Sequence, residues 1–276
     1  MSLAPLRGPQ LLEQNVGHTK SQMGAFFPGS HVIFRGQDLH AELKDMDWVE
    51  LFVFGITGRR FSKAQLRLLQ TIWTTTSYPD VRIWNNRVAA LAGTARSTGN
   101  LGVSAALAVS EASIYGRGID IRAIDFLIRA RRQVESDHDL AAFVQDALRR
   151  ERSIAGYGRP LVSRDERIEH LLALAQELGL ADGPYLSLAY AVRDVLKNGR
   201  WRQEMNYAGL AAALAADLGL SPREYYLYLF PAFLAGMLPC FIEAAENPEG
   251  SLFPLPCTHL KYEGVAKRSW AQREKR

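Results

Sequence analysis

The sequence predicts an all-α fold. Apolar residues recur at three- and four-residue spacing over several segments, which is the pattern of amphipathic helices. Two of these segments are followed by a glycine at the position where helices commonly stop. The chain has no series of alternating apolar and polar runs separated by turns, so no larger sheet is predicted.

The predicted elements begin with one short extended piece at Ser30 to Arg35. A long helical segment from Val88 to Ser113 is rich in Ala, Leu and Val, and its small residues would let another helix approach closely. Asp139 to Arg152 and Arg167 to Leu178 have the apolar spacing of helices, and Gly179 follows the second one.

The next predicted helix, Leu210 to Leu218, is rich in Ala and Leu, and Gly219 stands where it should stop. Ser221 and Pro222 then have the residue types of a helix N-cap and a first-turn proline. The sequence therefore predicts helices along most of its length, with short turns between them.

The composition is that of a globular protein, with 47% hydrophobic and 22% charged residues among 276. The net charge of +4 is mildly basic, and much of the excess lies in the last ten residues, at Lys267, Arg268, Arg273, Lys275 and Arg276. No known nucleic-acid motif accompanies these residues, so we interpret them as a solvated tail and expect no nucleic-acid partner.

Cysteine content and hydropathy predict a cytoplasmic protein with free thiols and no membrane partner. No cationic start followed by an apolar run is present, and the longest apolar stretch, Leu227 to Ile242, contains two prolines. A metal site from Cys240, Cys257 and His259 would lack a fourth ligand, so no metal is predicted.

The most informative segment runs from Ile154 to Arg167, IAGYGRPLVSRDER. A Gly-Tyr-Gly turn is followed by Arg159 and then by Asp165 and Arg167. This segment resembles the signature of the citrate synthase and citryl-CoA lyase superfamily, in which a Gly-aromatic-Gly turn carries a histidine and an Asp-x-Arg step follows. Arg159 occupies the position of that histidine.

The resemblance extends over nearly the whole chain, and it depends on the order and spacing of short pieces. These pieces are Phe34-Arg35-Gly36, Trp48 to Phe61, Ala95 to Thr98, Asn206 to Gly209, Gly236 with Ile242 and Glu243, and Tyr262 with Gly264.

The resemblance implies a citrate-synthase-like large helical domain, at 1–117 and 226–276, with a smaller inserted helical domain at 118–225. It also implies a homodimer with the site in the interdomain cleft. The substrate it implies is a CoA thioester, and no tightly bound cofactor is expected.

The catalytic positions are substituted. In the family an aspartate is the base and two histidines are hydrogen-bond donors; here these positions are Met205, Arg159 and Tyr115. Methionine cannot accept a proton, whereas Arg159 is a fixed cation that can hold an enolate oxygen. Tyr115 or the adjacent Glu204 is then the candidate for proton transfer. The alternative is that Tyr115 is a half-buried aromatic residue without a role in the chemistry.

The resemblance also yields candidates for binding. For substrate binding these are Arg117, Asn206 and His259, and for the CoA nucleotide they are Gly156, Tyr157, Gly158, Arg164 and Arg167. The glycines would bring the turn backbone close to an adenine edge, and the two arginines would meet phosphates.

Each binding role has a structural alternative. Arg117 and Arg122 could instead pair on the surface with Asp120 and Asp125. Arg167 could pair with Asp165.

The carboxylate-binding arginines of the family are depleted. Phe233 replaces the arginine of the last long helix, and Cys257-Thr258-His259 replaces an Arg-Pro-Arg element. A polycarboxylate would leave its charges without partners here, so we expect an acceptor that is smaller or less charged than oxaloacetate.

Two functional hypotheses remain. The first is a divergent enzyme that forms or cleaves a carbon–carbon bond next to a CoA thioester, of the transferase or lyase type. The second is a catalytically inactive relative that binds a ligand or serves as a partner subunit. Loss of the ionisable group at Met205 favours the second, and polar replacement of both histidines favours the first.

Overall fold

The computed structural model describes residues 7–159, 164–199, 202–251 and 256–265. Over these residues the protein is mostly helical, with one small sheet, so the predicted all-α class is confirmed.

The helices and strands follow one another in this order: α1 Pro9–Asn15, β1 Gly24–Phe27, β2 His31–Phe34, β3 Gln37–Asp38, α2 Trp48–Thr57, α3 Lys63–Thr76, α4 Trp84–Thr94, α5 Gly99–Val109, α6 Arg117–Glu135, α7 Leu140–Glu151, α8 Arg167–Glu177, α9 Pro184–Lys197, α10 Tyr207–Asp217, α11 Pro222–Tyr228 and α12 Leu234–Glu246. A 3₁₀ turn at Cys257–His259 follows α12.

The three strands form an antiparallel sheet in the order β1-β2-β3, with Gly24 opposite Phe34 and Phe27 opposite His31. The extended piece predicted at Ser30 to Arg35 is therefore the central strand of this sheet. Its left-handed Arg35 and Gly36 lie between β2 and β3 and make the turn there.

Local sequence explains where several helices begin. Asp139 caps α7 by accepting from the amides of Ala141 and Ala142. Ser221 caps α11 by accepting from the Glu224 amide, and the Glu224 carboxylate accepts from the Ser221 amide. The two bonds form a capping box. These starts agree with the helices predicted at Asp139 and Ser221.

The predicted single helix from Val88 to Ser113 is wrong. The chain instead forms α4 and α5, with a break between Thr94 and Gly99. Arg96 lies in the left-handed region at φ 57° and donates to the carbonyl oxygen of Asn247 at 2.9 Å. The composition did predict close helix approach correctly, because a Cβ on Gly93 would clash with the Phe241 carbonyl of α12.

Helix α10 is the centre of the main hydrophobic core. Its residues from Gly209 to Ala216 are all buried, which fits a helix that is apolar all round. Helices α6, α8 and α9 pack against it. Two tyrosines of α11, Tyr225 and Tyr228, are also completely buried in this core.

The chain divides into two compact units, one of Met1–Tyr78 with Leu107–Ala235 and the other of Pro79–Ala106 with Gly236–Arg276. We refer to them as the first and the second unit. The domain bounds predicted from the resemblance, 1–117 with 226–276 and 118–225, stay a prediction.

No helix within the described ranges has the length and apolar character needed to cross a bilayer. The basic residues predicted to form a solvated tail lie outside the described residues.

Candidate functional site

The first unit contains a cleft of about 910 Å³. This volume falls within the range of small-molecule sites, about 300–1,000 Å³. Its charged lining residues are Arg149, Arg152, Arg159, Arg202 and Glu204. Its apolar and aromatic lining residues are Ile114, Tyr115, Leu148, Tyr157 and Leu196. Four guanidinium groups and one carboxylate make the cleft strongly cationic.

The cleft is built where several elements end. Helix α7 ends at Arg152, whose backbone is left-handed at φ 61°, and α9 ends just before Gly199. The loop before α6 contributes Tyr115, and the segment before α10 contributes Arg202, Gln203 and Glu204.

The Gly-Tyr-Gly turn is held rigidly against the start of α10. Gly158 donates its amide to the Glu204 carbonyl at 2.7 Å and accepts from Asn206 Nδ2 at 2.8 Å. The Asn206 amide donates to the Gly156 carbonyl at 2.9 Å. A Cβ on Gly156 would lie 2.7 Å from the Gly209 Cα, so the two chain segments touch backbone to backbone.

These bonds bear on the predicted nucleotide role of Gly156, Tyr157 and Gly158. The Gly156 carbonyl and the amide and carbonyl of Gly158 are bonded within the protein and are not free to face an adenine edge. The Tyr157 side chain is buried and its hydroxyl donates to the Ala189 carbonyl at 2.9 Å. Tyr157 and Gly158 still line the cleft, so binding by this turn stays a prediction.

The structure brings together the three predicted catalytic residues, Tyr115, Arg159 and Glu204, on one cleft. Tyr115 is 59% exposed. Arg159 Nη1 donates to Glu166 Oε2 at 2.9 Å and to the Arg164 carbonyl at 2.9 Å. Glu204 pairs with Lys197 at 2.8 Å. Arg159 and Glu204 therefore have protein partners in this structure, and their catalytic use stays a prediction.

Arg167 lies in a polar network beside the turn. Its guanidinium makes two 2.8 Å bonds to Asp165 and lies over the Tyr207 ring at 4.5 Å. Burial alone would raise the pKa of Asp165, but the hydrogen bonds and charge of Arg167 and the Tyr207 amide bring it below its usual value. Pairing with Asp165, the structural alternative for Arg167, is therefore observed.

Arg164 and Asn206, two other predicted binding residues, also have partners. The exposed Arg164 side chain pairs with Glu169. Asn206 caps α10, with its Oδ1 accepting from the amides of Ala208 and Gly209. Their binding roles stay predictions. Both the oxygen and the nitrogen of the Asn206 side-chain amide are hydrogen-bonded within the protein.

Arg117 is buried, with 1% of its surface exposed. It donates to the carbonyls of Phe230 and Leu107 and pairs with Glu111 at 2.8 Å. The predicted surface pairing of Arg117 and Arg122 with acidic residues of α6 is wrong, because Arg122 donates to the Ser113 and Gly118 carbonyls.

His259 lies in the second unit, exposed, within the 3₁₀ turn. Its role in substrate binding stays a prediction. Within the described parts of the chain, no group of three His, Cys, Asp or Glu side chains is placed to hold a metal ion.

Met205, which the sequence resemblance aligns with the family's aspartate base, is 5% exposed. Its backbone pairs with Tyr157, and its Cγ lies against Gly209. The side chain therefore fills space between the turn and α10 and brings no ionisable group to the cleft.

Sequence reasoning missed the raised pKa of Asp120, a residue outside the cleft lining. It lies in the first turn of α6, and burial raises its pKa to about 7, although Arg167 and Arg117 lower it. The signal in the sequence was a carboxylate five residues after Tyr115, which looked like a surface charge beside Arg117.

Left-handed backbone at non-glycine residues of the described chain occurs at the cleft and also at Arg35, Arg96, Asp137 and Phe233. Three of the residues that line the cleft, Tyr115, Arg152 and Arg202, have φ of 59°, 61° and 45°. This conformation costs about 1–2 kcal/mol for residues with a Cβ. Backbone strain of this kind clusters at functional sites.

Several solved structures have the same architecture. Citryl-CoA lyase from Hydrogenobacter thermophilus superposes with a TM-score of 0.79, at 18% sequence identity, over 92% of this chain and 97% of that one. The chain has the citrate synthase fold. The resemblance identified from the sequence is thereby confirmed at the level of the fold.

Two further structures support the same fold. ATP citrate lyase from Methanothrix soehngenii, in complex with citrate and coenzyme A, matches at TM-score 0.71 and 16% identity over 95% of this chain and 45% of that one. Citrate synthase from Thermotoga maritima matches at 0.62 and 20% identity over 84% of this chain and 62% of that one. No protein-family model and no curated protein matches the sequence.

Proposed function

We propose that this protein binds an acyl-CoA thioester in the arginine-lined cleft and forms or cleaves a carbon–carbon bond next to the thioester carbonyl. The observation that carries the proposal is the cleft itself, with four arginines and an apolar wall, in a chain with the fold of citryl-CoA lyase.

The charge of the cleft fits the nucleotide end of CoA. CoA carries a diphosphate and a 3′-phosphate, and guanidinium groups bind phosphate with paired hydrogen bonds. Arg152 and Arg202 are exposed, and Arg149 makes a surface pair with Asp146. We assign these three arginines to the phosphates, in place of Arg164 and Arg167, whose guanidinium groups are paired with acidic side chains.

The chemistry belongs to the Tyr115 and Arg159 side of the cleft. Removing a proton from the carbon next to a thioester carbonyl places negative charge on the carbonyl oxygen, and a fixed cation stabilises that charge. Arg159 is 26% exposed at its side chain and lines the cleft, so it is the candidate for this role. The acceptor substrate is one with fewer charges than oxaloacetate, and the protein functions as a homodimer.

A catalytically silent, ligand-binding relative is the second candidate. The buried Met205 supports it, because the residue at the family's base position cannot take a proton. Both candidates require the CoA thioester to bind.

The test of the shared premise is isothermal titration calorimetry with CoA, dephospho-CoA and acetyl-CoA. We expect binding by the wild type and a loss of about tenfold or more in Arg202→Gln, because a hydrogen bond to a charged group contributes about 1.5–3 kcal/mol. Arg131→Gln is the control, since Arg131 pairs with Glu135 at the other end of α6. Absence of heat from wild type at millimolar ligand would remove the thioester proposal.

A further inference from the structure

Gln203 lies in the segment that leads into α10, and it lines the cleft between two charged neighbours. Arg202, Gln203 and Glu204 are consecutive residues of the cleft lining. Arg202 is one of the three arginines assigned to the CoA phosphates, and consecutive Cα atoms are about 3.8 Å apart. A nucleotide whose phosphate is bound by Arg202 therefore has its other groups within reach of the Gln203 side chain.

The Gln203 side chain packs on the Gly-Tyr-Gly turn. Its Cγ, Cδ and Nε2 lie 3.7, 3.8 and 3.8 Å from the position that a Cβ on Gly158 would take. The Gly158 amide donates to the Glu204 carbonyl, and the Gly158 carbonyl accepts from Asn206 Nδ2. Gln203 therefore brings a neutral amide to a part of the cleft where these backbone groups are already bonded within the protein.

One atom of the Gln203 amide lacks a hydrogen-bond partner. Its Oε1 is buried, and no group in the described ranges of the chain donates a hydrogen bond to it. Glu204, the next residue, differs in that its carboxylate pairs with Lys197 at 2.8 Å. Few buried side-chain polar atoms in native structures are left unbonded, and those that are often serve a function. The partner that Oε1 lacks is a hydrogen-bond donor.

The need for a donor narrows the choice among the groups of CoA. Phosphate oxygens and the thioester carbonyl only accept hydrogen bonds. The adenine base carries an amino group beside a ring nitrogen, and a glutamine amide matches this pair of donor and acceptor with its own oxygen and nitrogen. The amides of the pantetheine arm are secondary, and their N–H and C=O groups point in opposite directions, so they cannot bond both atoms of a glutamine amide.

We propose that Gln203 recognises the adenine base of CoA, with Oε1 accepting from the 6-amino group and Nε2 donating to a ring nitrogen. The terminal torsion of a glutamine is broad, so the amide can turn its oxygen toward the cleft at little cost. Gln203 thereby selects against bases with an oxygen at the 6-position, which would face Oε1 with a second acceptor. The inference rests on the proposed function, because it requires a CoA ligand in the cleft.

The experiment is calorimetry with CoA and with etheno-CoA, in which a two-carbon bridge joins the 6-amino nitrogen to the ring. Etheno-CoA has the phosphates and the pantetheine arm of CoA but no N–H on its base. We expect the wild type to bind it about fivefold or more weakly than CoA. Gln203→Met preserves the length of the side chain without its polar atoms, so it should bind CoA about fivefold or more weakly and should not prefer it over etheno-CoA.

Thermal melts separate recognition from a structural role. Gln203→Met replaces an unpartnered buried oxygen with apolar atoms, so it should melt at or above the wild-type temperature. Reduced CoA affinity at undiminished stability is the combination that recognition predicts. Gln176→Met is the matched control, since Gln176 is an exposed glutamine of α8 outside the cleft lining. It should retain the wild-type preference for CoA over etheno-CoA.

A comparison that needs no variant uses ADP and IDP, which share the ribose and diphosphate and lack the pantetheine arm. Their bases differ at the 6-position, where ADP has an amino group and IDP an oxygen. We expect the wild type to bind ADP about fivefold or more tightly than IDP. Equal affinities would contradict the adenine pairing even if Gln203→Met failed to fold.

The failures of the two proposals differ. A wild type that binds CoA and etheno-CoA equally would overturn the role of Gln203. A Gln203→Met variant that loses affinity for both ligands by the same factor would also overturn it, because the lost contact would then be to another part of CoA. A wild type that binds neither ligand would overturn the proposed function itself.

Discussion

At the scale of single residues, two groups of the first unit cost stability. Asp120 is a carboxylate whose burial disfavours its charged form, and Arg152 holds a backbone conformation that suits glycine. Neither residue is what packing or helix termination alone would select. Arg152 lines the cleft proposed to bind the thioester, whereas Asp120 lies in the first turn of α6 and outside the cleft lining.

The first prediction concerns the stability effect of Asp120. Its folded-state pKa of about 7 lies above the ordinary value of 3.8, so the folded state binds more protons than the unfolded state between these pH values. Its contribution to stability therefore falls as pH rises from about 4 to 7. Asp120→Asn removes this loss, and at pH 8 we expect it to exceed the wild type by on the order of 2–4 kcal/mol.

Urea unfolding at pH 4.5 and pH 8 checks this, with the difference between variant and wild type as the measured quantity. Asp125→Asn is the matched control and should show no such pH-dependent gain. A variant that is less stable than wild type at pH 8 would mean that Asp120 is held by structural bonds.

The second prediction concerns Arg152, the left-handed residue at the end of α7. Arg152→Gly should raise the unfolding free energy by about 1 kcal/mol, since glycine adopts positive φ without steric cost. It should also weaken CoA binding by about tenfold, because one cation of the cleft is lost. Thermal melts and calorimetry measure the two effects.

Asp137→Gly is the control for Arg152→Gly. Asp137 also has positive φ, 57°, after the end of α6, but it does not line the cleft. This variant should gain stability without any change in CoA affinity. Equal losses of affinity in both variants would contradict the assignment of Arg152.

At the scale of elements, sequence patterns located the helices well but missed breaks set by single residues. The starts at Asp139 and Ser221 were predictable because caps are local chemistry. The break at Arg96 was not, because its left-handed backbone is supported by carbonyl oxygens about 150 residues later in the chain. Such support exists only in the folded state.

The same limit applies to the site. The motif around Gly156 predicted which residues gather at the cleft, including Tyr115, Arg159 and Glu204. It left open whether Arg167 pairs with Asp165, and it did not predict that Arg117 is buried with its guanidinium on the Phe230 and Leu107 carbonyls. Those contacts depend on how the helices pack, which short spacings do not encode.

The third prediction tests the backbone contact that holds the turn against α10. In Gly209→Ala the new Cβ would lie 2.5 Å from the Gly156 carbonyl oxygen and 3.0 Å from Met205 Cγ, so the turn must move. We expect a loss of about 1–3 kcal/mol in unfolding free energy and weaker CoA binding. Denaturant unfolding and calorimetry report both quantities.

Gly179→Ala separates crowding from backbone strain. Gly179 has positive φ, 67°, and no atoms lie within 4 Å of its added Cβ. Its alanine variant should lose about 1 kcal/mol and keep CoA affinity. If Gly209→Ala were no worse than this control, the contact between turn and helix would have little importance for the site.

At the scale of the whole molecule, the fold and the cationic cleft favour binding of a CoA thioester. The methionine that the resemblance aligns with the family's base favours a catalytically inactive relative. A chain with this fold that retains a cationic cleft is suited to a phosphate-bearing ligand. If Met205 occupies the base position, as the sequence resemblance implies, proton transfer uses a different residue or does not occur. The proposed homodimer would place two such clefts in each assembly.

The fourth prediction is that the protein sediments as a homodimer. Sedimentation equilibrium should give a mass near twice the 30.8 kDa of one chain. The mass of a single chain at micromolar concentration would contradict the dimer.

The most direct test of the cleft as a thioester site is a structure determined with CoA bound. We predict that the phosphates contact Arg149, Arg152 and Arg202 and that the thiol end lies beside Tyr115 and Arg159. A structure with CoA bound elsewhere on the protein, or with its phosphates away from these arginines, would contradict the account.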